Sequence, residues 1–323
     1  MSELHVVFGA GPVGRSVMEE LVRQGKPVRV VSRSGSMDEV PQGVELVAAD
    51  LYDPASVGKV VQGAAVAYQC AQPDYWEWPE KFPPLQAAII EGLADGGIRL
   101  VLAENLYMYG YTDGQPLTED LPYRAHTRKG KVRAAMAEAA LAAHRAGKVQ
   151  VSIGRASDFF GPWALGSSHG ERVFYPALAG KAASFLGKLD LPHTATYISD
   201  FGRALVLLGE WDEALGQAWH VPNDRPQITQ RQFAELIFEE AGLPPKVSGM
   251  GKLMLRLGGL FIPSAREMVE MAYEFEKPFV VDSSKFEQAF DMKATPIQEA
   301  IKATVAWYRD HPQLNGASAK QRG

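Results

Sequence analysis

No stretch constrains this chain more than Leu4-His5-Val6-Val7-Phe8-Gly9-Ala10-Gly11-Pro12-Val13-Gly14-Arg15. A short apolar run leads into Gly-x-Gly-x-x-Gly, and Val17, Met18, Leu21 and Val22 then recur at helical spacing. The glycines therefore fall on a turn from a strand into a helix. Gly9 lets the chain turn sharply, Gly11 leaves room for a pyrophosphate against the backbone, and Gly14 lets the helix pack closely on the strand. The first helical turn offers unpaired N–H groups and a positive dipole end to an anion. Gly9, Gly11, Pro12, Val13, Gly14 and Arg15 are thus expected at the phosphates of a dinucleotide. A Gly-rich turn that binds nothing is the alternative that the residues leave open.

The sequence beyond this turn continues as strand and helix in alternation. Gly25-Lys26-Pro27 breaks the first helix, and Val28 to Val31 reads as a buried strand that ends in Ser32-Arg33-Ser34. An acidic residue there would accept the ribose 2′-OH of NAD. A guanidinium between two hydroxyls suits a 2′-phosphate instead, so NADP is expected ahead of NAD, with Arg15 reaching the same phosphate. A third strand, Val44 to Ala48, runs into Asp50 and Leu51, expected at the adenine side, and Asp53 or Pro54 opens the next helix. A fourth strand, Ala64 to Gln69, ends in Cys70-Ala71, which completes the expected cofactor set. This alternation predicts an α/β fold, a doubly wound parallel sheet whose ligands lie beyond the carboxyl ends of its strands. Tyr75, Trp76 and Trp78 follow in a Pro-rich loop, where they either wall a substrate pocket or pack the loop. A helix is expected from about Phe82 to Gly96, before a fifth strand over Arg99 to Ala103.

The charge balance removes several classes of function. Net charge over the 323 residues is −5, so no basic surplus exists to grip nucleic acid or an anionic membrane. The one cysteine, Cys70, excludes an internal disulfide and a Cys-based zinc site and points to a reducing compartment, and no metal site is expected. No apolar run approaches the roughly 20 residues of a membrane span, and no basic segment precedes an apolar one at the start. A cytoplasmic monomer or homodimer acting on a small molecule is the expectation.

The fifth strand runs into Glu104-Asn105-Leu106-Tyr107-Met108-Tyr109-Gly110. With the Gly motif, Asp50-Leu51, the Tyr109-Gly110 turn, Arg155-Ala156-Ser157-Asp158-Phe159-Phe160-Gly161-Pro162 and Tyr197-Ile198-Ser199-Asp200, the chain resembles the extended short-chain dehydrogenase/reductases, the NAD-dependent epimerase/dehydratase family. The resemblance spans nearly the whole chain. It implies a Rossmann-like nucleotide domain over 1–156, with 197–222 returning to it. A smaller substrate region is implied over 157–196 and 223–311, with a flexible tail over 312–323. Tyr75, Trp76, Tyr107, Asp158 and Phe159 are the residues expected to face substrate.

The chain departs from the family in the residues of the chemistry. Phe8 replaces the first glycine of the motif, and Asn105 occupies the position of the family's serine, four residues before the Tyr of the Tyr-Gly turn. The family's Tyr-x-x-x-Lys belongs where this chain reads Thr127-Arg128-Lys129-Gly130-Lys131-Val132-Arg133, without a tyrosine. Tyr273 to Lys277 is the one match to that spacing, and its place late in the chain reads as chance. Arg133 is expected to replace the ribose-holding lysine, and Lys129, one helical turn earlier on the same face, the tyrosine. An ammonium buried beside a guanidinium is a competent proton donor near neutrality. The alternative is a solvated basic turn, or one that binds phosphate.

The rest predicts a sixth strand over Val149 to Gly154, a strand at Trp219 to Val221 and a helix capped by Thr229 with Gln232. Further helices are expected over Leu253 to Tyr273 and Pro296 to Tyr308. His193 could reach the substrate region, although a lone histidine is more often structural. Two functions stay open: an NAD(P)-dependent oxidoreductase or epimerase-like enzyme acting on a small carbonyl or hydroxyl compound, and a non-catalytic, redox-sensing NADP-binding regulator. Sugar-nucleotide epimerisation loses ground because it needs a base for a hydroxyl proton while hydride moves to the cofactor.

Overall fold

Apolar runs with no polar alternation belong to parallel strands covered on both faces, and the computed structural model places them so. It describes residues 3–94, 96–251 and 269–315. The chain divides into two compact units. The first comprises Met1–Gly110, Pro122–Ala156 and Phe201–Val221. Its strands are β1 (Leu4–Phe8), β2 (Val28–Ser32), β3 (Glu45–Ala48), β4 (Ala64–Gln69), β5 (Arg99–Glu104), β6 (Gln150–Arg155) and the short Ala218–His220. They form one parallel sheet in the order Ala218–His220, β6, β5, β4, β1, β2, β3. The strand order reverses between β4 and β1, which is where open α/β sheets bind ligands.

Helices cover this sheet with the residues their spacing predicts. In α1 (Pro12–Arg23), Val17, Met18 and Leu21 are fully buried. Asp53 caps α2 (Pro54–Val60) by accepting from Ala55 N at 3.0 Å. Helix α3 (Trp78–Gly92) begins a turn before the expected Phe82 and ends before the expected Gly96. Trp78, Phe82, Leu85 and Ile89 recur at intervals of four, three and four, and all lie in the core. The stripe thus starts at Trp78, which belongs to the packing and is not available to wall a pocket. Pro83 and Pro84 remain inside this helix, where each removes one N–H donor near its start.

The second unit comprises Tyr111–Leu121, Ser157–Asp200 and Pro222–Gly323. Two small parallel pairs, Asp158–Phe160 with Ala195–Tyr197 and Ala183–Leu186 with Val247–Met250, supplement its helices Glu171–Leu178, Gln230–Ala241 and Ile297–Asp310. Phe160, Phe174, Phe185, Phe233, Phe238 and Tyr308 fill their common core. The expected helix over Leu253 to Tyr273 falls mostly outside the described residues, which show a short 3-10 turn at Ala272–Phe275. The expected tail is described only as far as Asn315. No helix among the described residues is long and apolar enough to cross a membrane.

Thr229 and Gln232 cap the helix Gln230–Ala241 reciprocally. Thr229 Oγ1 accepts from Gln232 N at 3.2 Å, and Gln232 Oε1 accepts from Thr229 N at 3.0 Å. Thr229→Ala should lower unfolding free energy by about 1 kcal/mol in urea titration. Thr229→Ser should recover most of it, and an unchanged midpoint in the alanine variant would show the cap to be idle.

Candidate active site

The turn between β1 and α1 uses its three glycines differently. Gly9 has a φ of +104°, and a Cβ there would stand 2.7 Å from the Ala71 nitrogen. A Cβ on Gly14 would overlap the Gly9 carbonyl. A Cβ on Gly11 would meet nothing within 4 Å. Gly9 and Gly14 thus hold the turn, the helix and the Cys70-Ala71 backbone together, while Gly11 faces open space. Gly11 is also the N-cap of α1 and supplies no side-chain hydrogen bond to the first-turn N–H groups. A backbone cradle that only a side chain would fill, at an uncapped helix start, fits the pyrophosphate of a dinucleotide.

The loops around this cradle hold the other expected cofactor residues. Ser32 ends β2, where its hydroxyl accepts from Gly35 N at 3.1 Å, and the Ser34 and Ser36 hydroxyls lie 2.7 Å apart. Arg33, between the two serines, is exposed. Arg15 was expected at a phosphate, but its guanidinium donates to the Glu39 carbonyl at 3.0 Å and to the Asp38 carbonyl, and its side chain is buried. A guanidinium on the first turn of α1 lies within reach of these carbonyls, and they hold it against the loop. Asp50 Oδ1 accepts from Tyr52 N at 2.9 Å, and Leu51 is buried. Burial pushes the Cys70 thiol far above its usual range, so it stays protonated.

A second group of residues gathers where α4 (Arg128–Arg145) starts. Thr127 Oγ1 accepts from Gly130 N at 3.0 Å and caps this helix. A Cβ on Gly130 would stand 2.5 Å from the Tyr107 carbonyl, so only glycine lets the helix lie this close to the Tyr107–Tyr109 turn. The close approach brings Lys129 inside. Its side chain is fully buried, with Nζ 4.4 Å from the centroid of the Tyr75 ring. The Tyr75 hydroxyl in turn donates to the Tyr107 hydroxyl at 3.3 Å. Asn105 Oδ1 accepts from Tyr107 N at 3.2 Å, which directs its amide hydrogens elsewhere. Lys129, Tyr75, Tyr107 and Asn105 are therefore joined locally, while Trp76 stays exposed on its turn.

Arg133 was expected to hold a ribose, but its guanidinium turns inward. It donates to the Ala103 carbonyl at 3.2 Å, lies 3.5 Å from Glu104 Oε1, and covers the rings of Phe82 and Trp78. Glu104 also accepts from Arg155 Nε at 3.1 Å. Arg155 donates to the Tyr109 hydroxyl at 2.6 Å and to the Tyr123 hydroxyl, and Tyr109 meets His220 Nε2 at 2.8 Å. Burial lowers the Arg133 pKa. Burial also opposes the charge on Arg155, but Glu104 and the two tyrosines outweigh it and hold that guanidinium charged. The sequence carried no signal for this group, because its members are spread over more than a hundred residues.

Asp158 and Phe159 lie on the strand Asp158–Phe160 of the second unit, where Asp158 Oδ2 accepts from His193 Nε2 at 2.7 Å. Burial opposes the Asp158 charge, but His193 holds the carboxyl below its usual range. Tyr273 is buried in the same unit, and Lys277 pairs with Asp113 at 2.7 Å, so this Tyr-x-x-x-Lys pair is divided between core and surface.

The model of the NAD dependent epimerase/dehydratase family matches residues 5–221. This chain belongs to that family. A sequence search of the curated proteins finds no match. Among solved structures, the epimerase Mth375 of Methanothermobacter thermautotrophicus superposes with a TM-score of 0.80 at 17% identity, over 98% of this chain and 95% of that one. The dTDP-glucose 4,6-dehydratase of Bacillus anthracis, solved with NAD, gives 0.77 at 15% identity over 97% and 98%. The UDP-glucuronic acid 4-epimerase of Bacillus cereus, solved with UDP-glucuronic acid and NAD, gives 0.76 at 14% over 95% and 99%. Likeness at these identities is one of fold. The regulator reading of the sequence finds no support in the family or in these structures.

A pyrophosphate held against the backbone at Gly11 would need the open face there. Because the backbone there is extended, with φ −77° and ψ −176°, a valine can adopt it without strain. Gly11→Val should therefore keep the native circular dichroism spectrum and lose dinucleotide binding in a fluorescence titration. Retained affinity in a folded variant would show the cradle to be only a turn.

Proposed function

We propose that this epimerase/dehydratase relative is an NADP-dependent oxidoreductase that interconverts a small carbonyl compound and its alcohol. The observation that carries the reading is the fully buried Lys129 beside the hydrogen-bonded Tyr75 and Tyr107 hydroxyls. A buried protonatable group over the ring of one of two hydrogen-bonded tyrosines is placed for proton transfer, and a solvated basic turn would leave it in water. The bound dinucleotide supplies a hydride at its nicotinamide. Lys129 gives the proton to the substrate oxygen in reduction and takes it back in oxidation. The Asn105 amide hydrogens polarise the same oxygen, since the Asn105 carbonyl is already used by Tyr107 N. Arg133 acts as a positioning residue, through Glu104 and the end of β5, and not on the ribose. The preference for the 2′-phosphate rests on the exposed Arg33 between Ser32 and Ser34.

Cofactor choice is read by titration calorimetry. Arg33→Asp should weaken NADPH by about 10- to 100-fold, the worth of a charge-assisted hydrogen bond, and leave NADH nearly unchanged. Equal losses for both would remove the 2′-phosphate argument.

Turnover is read as NADPH oxidation over a panel of small aldehydes and ketones. Lys129→Met should lower kcat by about 10²–10⁴ while NADPH affinity barely moves. A variant that turns over like the parent would remove Lys129 from the reaction. No oxidation anywhere on the panel by the parent chain, with NADPH bound, would refute the oxidoreductase reading.

A further inference from the structure

The second unit buries a cluster that takes no part in the reading above. One ligating atom each from Asp158, His169 and His193 lies within 4.8 Å of the other two. Both imidazoles are almost fully buried, and their rings stand 5.4 Å apart with planes inclined by only 20°. Two imidazoles on one ion hold their ring centres about this far apart, because each centre lies about 3.2 Å from a metal bound at about 2.0–2.1 Å.

One nitrogen of each imidazole is engaged. The Ser168 hydroxyl lies 2.9 Å from His169 Nδ1. With His169 Nδ1–H donating to that hydroxyl, His169 Nε2 carries a bare lone pair. This is the arrangement in which a metal-binding histidine donates its other N–H to a neighbour. His193 Nε2–H donates to Asp158 Oδ2 at 2.7 Å, while its Nδ1 is buried with no partner. Nearby Glu274, close enough to feel the Asp158 charge, also buries an unpartnered Oε1. A cluster built only for hydrogen bonding would not leave two such atoms unsatisfied.

We propose that Asp158, His169 and His193 bind a divalent transition-metal ion of the zinc class, with Ser168 orienting His169. Two imidazoles and one carboxylate suit zinc and its neighbours, whereas magnesium and calcium take oxygen ligands throughout. In the metal-free cluster a proton joins His193 Nε2 to Asp158 Oδ2. The ion takes the place of that proton, which moves to His193 Nδ1 so that His193 binds as a neutral imidazole, and His193 Nε2 and Asp158 Oδ2 part from 2.7 Å toward the spacing of about 3.3 Å that tetrahedral zinc sets. Three protein ligands leave a fourth position for water or a substrate oxygen. The spacing of residues 158, 169 and 193 carries no metal motif, so the sequence did not announce the site.

The test uses the untagged full chain, stripped with chelator and titrated with zinc or cobalt chloride. One ion per chain should bind, and cobalt should give the intense visible bands of a tetrahedral nitrogen and oxygen site. Ser168→Ala should weaken zinc by about 10- to 100-fold. Asp158→Asn and His169→Ala should weaken it further, and His311→Ala should leave it unchanged. Binding that survives both ligand substitutions overturns the proposal, as does the absence of binding. If a ligand variant fails to fold, the parent's cobalt spectrum decides: weak bands like those of the hydrated ion overturn the site.

Discussion

Two buried guanidinium groups, Arg133 and Arg155, share the carboxylate of Glu104 at the end of β5, and much of the first unit is arranged by that sharing. All three side chains are almost completely excluded from water. Charges so buried persist only when their partners are in place, and removal of one partner from a buried pair costs about 3–5 kcal/mol. Each partner here ties a different element. Arg155 brings in the end of β6 and, through Tyr109 and Tyr123, two loops, and Tyr109 carries the chain of bonds to His220 on the last strand of the sheet. Arg133 brings in α4 and packs on α3 through Phe82 and Trp78. The carboxyl edge of the sheet is therefore rigid where ligands of this fold bind.

Lys129 depends on that rigidity. One helical turn separates it from Arg133, so the inward pull on Arg133 also fixes the face of α4 that Lys129 shares. A lysine at position 133 would present one ammonium, whereas the planar guanidinium donates to the Ala103 carbonyl and still lies 3.5 Å from the Glu104 carboxylate. Arg133 thus holds a strand end. Lys129 lies over the ring of Tyr75, whose hydroxyl bonds that of Tyr107.

The parallel sheet, the glycine cradle and the Thr229 cap were legible in the sequence because each is local. A run of Val, a spacing of glycines or a Thr followed by Gln three residues on has one geometric meaning within a few residues. The start of α3 was misread because Pro83 and Pro84 signal a loop, while the apolar stripe from Trp78 onward outweighs them. The partners of Arg15 and Arg133 were not legible for another reason. Residue type says that a guanidinium seeks oxygen acceptors, but not which acceptors the folded chain offers first. For Arg15 these were the Asp38 and Glu39 carbonyls, and for Arg133 the Ala103 carbonyl and Glu104. The grouping of Asp158, His169 and His193 joins three separate stretches, so no window of sequence contains it.

The second unit shows how burial sorts groups of one chemical kind. Asp158 and Glu274 are both carboxyls, and both have lost most of their water. Asp158 is held ionised against its burial by His193, which hydrogen-bonds it at 2.7 Å. Burial first, and then the charge on Asp158, push the Glu274 carboxyl well above its usual range, so it stays protonated. Burial also keeps His169 neutral, with its pKa lowered to about 3. Asp158 thus keeps its charge where Glu274 and His169 have surrendered theirs. An anionic ligand would meet that charge with no buried arginine or lysine of the described residues beside it to compensate. A cation, or a neutral polar molecule able to donate a hydrogen bond, would be drawn to it.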